Sequence, residues 1–226
     1  MHLERFTQTH MLTLTIENLH VEAKQFAEYE GAHWEPSLFG VNDGKAIGTY
    51  LEQKFTKRLA SQFDFVSGNS ASGIDLPGLN VDIKTTSIRQ PQSSCPFKSA
   101  RQKVFGLGYH LLVFVYEKID EHETKLTKLN ILHTIFVSEE RTADFQTTRG
   151  ILNILNNQGN ADDLKAFFEE RNLPVDEIAA EILAEEILQN RPLEGYLTIS
   201  NALQWRLQYT RVIEKAGKID GLLRIV

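Results

Sequence analysis

Leu111, Leu112, Val113, Phe114, Val115 and Tyr116 form a continuous apolar run rich in β-branched and aromatic side chains. Strand side chains alternate between two faces, so a run without polar alternation has both faces buried. Such a strand needs a packed layer on each side. A second strand is expected over residues 129–137, with residues 120–127 as the polar link. Upstream, Ile47, Tyr50, Leu51, Phe55 and Leu59 fall three or four apart, which gives an amphipathic helix over residues 45–62. Asn42 or Asp43 supplies its N-cap. Residues 14–30 show similar spacing at Ile16, Leu19, Phe26 and Tyr29. This order implies an α/β protein, a mixed β-sheet flanked by helices.

Beyond Glu139 the pattern becomes helical over residues 148–156, 162–171 and 176–189. Residues 201–214 are also expected to form a packing helix, with Leu203, Leu207 and Val212 inside; a helix-turn-helix remnant carrying Arg206 and Arg211 is the second possibility. The chain therefore divides into a core over residues 1–140 and a mainly helical subdomain over residues 141–226, serving packing, dimerisation or ligand contact. No repeat or low-complexity segment interrupts it.

One cysteine, Cys95, excludes an internal disulfide and a cysteine-built zinc site, and suits a reducing compartment. No apolar run approaches the roughly 20 residues that span a bilayer. The N-terminus lacks a signal-peptide core, so a cytoplasmic location is expected. Glycine-rich phosphate loops, His-Glu-x-x-His spacing and Gly-x-Ser-x-Gly elbows are all missing from the sequence, which disfavours ATP-driven, zinc-protease and serine-hydrolase chemistry. The net charge of −6 hides an asymmetry. Residues 83–116 contain no acid but five bases, Lys84, Arg89, Lys98, Arg101 and Lys103, whereas residues 162–194 hold ten acids.

The acid-free stretch follows the segment with the clearest chemistry. Asp75 precedes a Pro77-Gly78 turn signal, after which come Val81, Asp82, Ile83 and Lys84. On a strand, Asp82 and Lys84 share one face while Val81 and Ile83 enter the opposite layer. If the chain doubles back at the turn, Asp75 is carried to Asp82. Two carboxylates and an ammonium in one place suit a divalent cation and a phosphate. The plain alternative is a surface hairpin with a salt bridge.

Asp75, six intervening residues and Asp82-Ile83-Lys84 resemble the PD-(D/E)XK nuclease motif, with isoleucine at position 74 where the family usually has proline. The resemblance covers about residues 44–137 and is strongest to type II restriction endonucleases. It implies a restriction-endonuclease-like core and Mg²⁺ held by Asp75, Asp82 and the Ile83 carbonyl. Lys84 would act beside the scissile phosphate. Glu52, next to the buried face of its helix, corresponds to the glutamate that many members bring to the metal. The expected activity is hydrolysis of double-stranded DNA at a palindromic site by a homodimer. A structure-selective or repair nuclease, or a non-catalytic DNA-binding protein on the same fold, is the alternative. Ser87, Arg89, Gln90 and Gln92 are candidates for reading bases, and Lys98, Arg101 and Lys103 for holding phosphates.

Overall fold

The apolar run lies at the centre of the principal sheet. In the computed structural model, residues 11–68, 73–96, 98–200 and 205–226 are described, without the Trp205 side chain. The N-terminal residues 1–10, residues 69–72 of the Ser- and Gly-rich segment that the sequence suggests as a loop, and Leu203 lie outside them. In chain order the elements are β1 (Leu12–Thr13), α1 (Ile16–Ala32), β2 (Trp34–Glu35), α2 (Gly44–Ala60), β3 (Phe63–Asp64), β4 (Val81–Ser87), β5 (Gln92–Cys95), α3 (Arg101–Phe105), β6 (His110–Glu121) and β7 (Leu126–Val137). After these come α4 (Phe145–Asn156), α5 (Ala161–Glu170), α6 (Glu177–Gln189), β8 (Thr198–Ile199), β9 (Trp205–Gln208), α7 (Thr210–Lys215) and β10 (Leu222–Arg224).

The main sheet has the order β10-β7-β6-β4, with β2 also pairing β7. β4 and β6 are parallel, while β6 and β7 are antiparallel. One face is covered by α1 and α2, where Phe26, Phe55 and Phe114 meet with ring centroids 5.0–5.5 Å apart. The other face carries Leu111, Val113 and Val115 against Leu207, Tyr209 and Ile199. Tyr116 turns to the helical side, so the run is buried on both faces as its composition requires. Asp43 caps α2 by accepting from Lys45 N at 3.0 Å. Helices α4 to α6 form a third apolar cluster with α3. Among the described residues, no helix is long and apolar enough to cross a membrane.

Two expectations need correction. The two prolines at 91 and 96 lead one to expect a break in strand structure between them, but Gln92–Cys95 is strand β5 and pairs with β9. Correspondingly, residues 205–208 are a strand and only Thr210–Lys215 is helical. Leu207 and Val212 are buried, but on different elements. β5, β9 and β8 form a separate antiparallel sheet stacked over the second face of the main one. β10 brings the end of the chain back onto β7, so the C-terminal region contributes to the core sheet as well as carrying α4 to α6.

Candidate active site on the edge strand

Among the described residues β4 ends the main sheet, pairing β6 on one side and leaving its other edge without a partner strand beyond the single Leu76–Val81 bridge. An open edge displays unpaired backbone groups. Here two acids take them. Asp75 Oδ2 accepts from Ile83 N at 2.8 Å, and Glu52 accepts from the Thr85 backbone. Asp75 is brought there by the expected reversal, which is tighter than a hairpin. Pro77–Leu79 forms a single 3-10 turn, Asn80 adopts φ 55°, and Leu76 and Val81 exchange backbone hydrogen bonds of 2.9 and 3.2 Å. Asparagine tolerates that left-handed conformation better than most residues.

Asp82 and Lys84 occupy the other face of β4. Lys84 Nζ lies 2.7 Å from Asp82 Oδ2, and the Asp82 side chain is only 6% exposed. Burial pushes the Asp82 carboxyl up to about 6; Lys84 opposes the rise and the Asp75 carboxylate reinforces it. Burial also pushes Glu52 up to about 7, against the pull of Lys84, with Asp75 and Asp82 adding to the increase. For Lys84, burial works against the ammonium, but Asp82, Glu52 and Asp75 outweigh it and hold its pKa above the usual lysine range. Three acids and one lysine thus share a poorly solvated pocket and sense one another's charge. All four residues singled out for chemistry are brought together.

Thr86 was not singled out, although it shares the face of Asp82 and Lys84 at the next even position. Buried Thr86 accepts from Gln92 N at 2.8 Å through Oγ1, which also donates to Gln92 O at 3.1 Å. This ties the first residue of β5 to the strand carrying the acids.

The remaining candidates separate. Ser87 closes β4, and its hydroxyl accepts from Arg89 N at 3.3 Å; Arg89 and Gln90 are exposed in the following turn. Gln92 is half-buried on β5 and Lys98 is exposed. Arg101 is held in a two-pronged ion pair with Glu186, with bonds of 2.6–3.0 Å. Lys103 must be corrected: it is 4% exposed and its ammonium donates to the Ile199 carbonyl at 3.0 Å, so it has no surface to offer a phosphate. Sequence position alone does not distinguish a lysine that leaves a short helix outward from one that turns inward.

The type II restriction enzyme NspV family model matches residues 13–224. A curated relative, the type II restriction enzyme NspV of Nostoc sp. (strain ATCC 29411 / PCC 7524), is 67% identical over 215 residues, covering 95% of this chain and 98% of its own. No solved structure gave a significant match. The α/β fold and these matches set the class, that of the type II restriction enzymes. Within it, the chain belongs to the NspV family.

Proposed function

We propose that the chain is a Mg²⁺-dependent endonuclease of the PD-(D/E)XK type that cuts double-stranded DNA at a specific palindromic sequence, working as a homodimer in the cytoplasm. The observation that carries this proposal is the convergence of Asp75, Asp82, Lys84 and Glu52 on the open-edged strand β4. The donor set suits magnesium, which takes hard oxygen ligands and keeps several waters. Asp75, Asp82 and the Ile83 backbone carbonyl would hold it; among the described residues no group of three acidic, histidine or cysteine side chains is placed to hold a metal. The Ile83 carbonyl opens on the same edge as its N–H, because both groups of one strand residue point to the same side. Crowded, buried carboxylates also favour a divalent cation, which relieves their mutual repulsion.

Bound Mg²⁺ supplies Lewis-acid stabilisation of the phosphate and a more acidic water. Asp75 and Asp82 fix the position of the phosphate relative to the strand. Lys84 holds a proton and a positive charge beside them, where it orients the attacking water or stabilises charge developing on the phosphate. Glu52, with its carboxyl raised to about 7, accepts hydrogen bonds from the water shell and steadies the Thr85 backbone. A palindromic target matches a two-fold symmetric protein with one site per subunit.

The test is incubation of the chain with phage DNA and Mg²⁺, followed by sequencing of fragment ends. Discrete fragments with one common end sequence are expected from the native chain. Asp82→Ala and Lys84→Ala should each lose cleavage while binding the same duplex in Ca²⁺. Full Mg²⁺-dependent cutting by either variant refutes these roles, and preference for branched DNA or free ends refutes the sequence-specific reading.

A further inference from the structure

The small sheet stacked over the core has one buried and one outward face. Ser93, Cys95, Ile199 and Leu207 turn inward: Cys95, Ile199 and Leu207 are buried, and the Ser93 hydroxyl meets that of Tyr209. The outward positions line up across strands. Gln92 stands opposite Gln208, which stands opposite Thr198; Ser94 stands opposite Arg206. Each of these five side chains carries a hydrogen-bonding group, and none is acidic, in a chain with net charge −6. Ser94, Arg206 and Gln208 are exposed. Arginines flank both edges. Arg89 lies in the turn before β5, and Arg211 donates to Thr198 Oγ1 at 3.0 Å with its guanidinium 3.8 Å from the Phe145 ring centroid.

The dimensions suit one occupant. The B-DNA major groove, about 12 Å wide, admits a two-stranded β-ribbon, and β5 with β9, about 4.8 Å apart, carries four of the five outward positions. Four residues of β9 extend about 13 Å, the length of roughly four base steps. Arginine is complementary to guanine edges and glutamine to adenine edges. The Thr86–Gln92 hydrogen bonds link this face rigidly to β4, so a base read by the sheet sets where the phosphate falls.

We propose that the outer face of the β5–β9–β8 sheet enters the major groove and reads the recognition sequence, with Gln92, Arg206 and Gln208 on base edges and Arg89 and Arg211 on the flanking phosphates. This rests on the reading of the chain as a DNA endonuclease and assigns the specificity of that same site. Arg206 and Gln208 become specificity residues, and Thr86 a positioning residue.

The experiment combines two measurements on the full chain. One is cleavage of duplexes carrying every single-base change in the site found by fragment-end sequencing. The other is selection from random duplexes in Ca²⁺. Arg206→Ala and Gln208→Ala should each lower discrimination at one symmetric pair of positions by about 5- to 150-fold, leaving the other positions unchanged. Gln208→Glu is isosteric and exposed, so it guards against a folding defect; it should shift preference at that position from adenine towards cytosine. Equal loss at every position, or unchanged discrimination, overturns the proposal. If the native chain enriches a sequence but leaves DNA uncut, the endonuclease reading fails while the selection arm still tests the sheet. If it enriches nothing, the reading face falls as well.

Discussion

Replacing Asp144 with alanine should remove a large share of the protein's stability, although the residue lies outside the candidate active site. Asp144 is 4% exposed and joins three elements. Oδ2 caps α4 by accepting from Thr147 N at 2.9 Å and also accepts from its hydroxyl at 2.7 Å. Oδ1 accepts from Ile199 N at 2.8 Å. The buried Lys103 ammonium feels the charge of Asp144 and donates to the carbonyl of that same Ile199. Loss of a helix cap costs about 1 kcal/mol. Stranding the Ile199 N–H and the Thr147 hydroxyl adds about 1–3 kcal/mol each. Allowing for relaxation, the expected loss is about 4 kcal/mol before any cost at Lys103, against a typical total of about 5–15 kcal/mol. In urea titrations with a slope of about 2 kcal/mol/M, the midpoint should fall by about 2 M. Asp144→Asn retains one acceptor and should lose less. Combining it with Lys103→Met removes the ammonium whose charge Asp144 favours, so the double variant should be more stable than the sum of the single effects by about 1 kcal/mol. A loss below about 1 kcal/mol for Asp144→Ala, or strict additivity in the pair, would refute this account.

Gly106 has φ +92° and a Cβ there would lie 2.5 Å from the Glu139 carbonyl oxygen; Gly106→Ala should cost about 2 kcal/mol or more by thermal or urea unfolding. The Glu35 carboxyl is held at about 2, chiefly by Ser37. Its folded pKa lies below its unfolded one, so its stabilisation is complete above the unfolded pKa, about 4.3, and fades as pH falls towards 2. The difference in urea midpoint between the native chain and Glu35→Gln should therefore shrink between pH 6 and pH 3, and a difference independent of pH would contradict this. Because Arg101 is committed to Glu186, Arg101→Ala should leave the salt dependence of DNA binding unchanged, whereas Arg89→Ala, which removes one phosphate contact per subunit, should reduce the log–log slope of the dimer by about 1.8. Equal slopes for both variants would contradict that assignment.

The elements legible in the sequence are those whose side chains report their own environment. α2 and β6 declare themselves because apolar residues at helical spacing, or in an unbroken run, have one economical burial. Asp75, Asp82 and Lys84 were legible because strand alternation and a turn signal act over a few residues, whereas Glu52, on α2, entered only through the family resemblance. The β5–β9 pairing was not. Gln92–Cys95 is Ser- and Gln-rich between two prolines, with weak strand character of its own. In the later segment, apolar residues at 203, 207 and 212 suit a helix while those at 205, 207 and 209 suit a strand. A partner more than 100 residues away decides between them. Lys103 illustrates the same limit, since an inward turn depends on Ile199 and Asp144, which are remote in sequence.

The acids on the open edge of β4 also act as a seal. Asp75 and Glu52 occupy the Ile83 and Thr85 N–H groups with charged side chains, and such an edge resists docking of a foreign strand. Replacing either acid to silence catalysis would bare the backbone it covers and invite chain-to-chain pairing. Lys84, which leaves both hydrogen bonds untouched, is therefore the safer position for an inactive form to be crystallised with DNA or stored at high concentration.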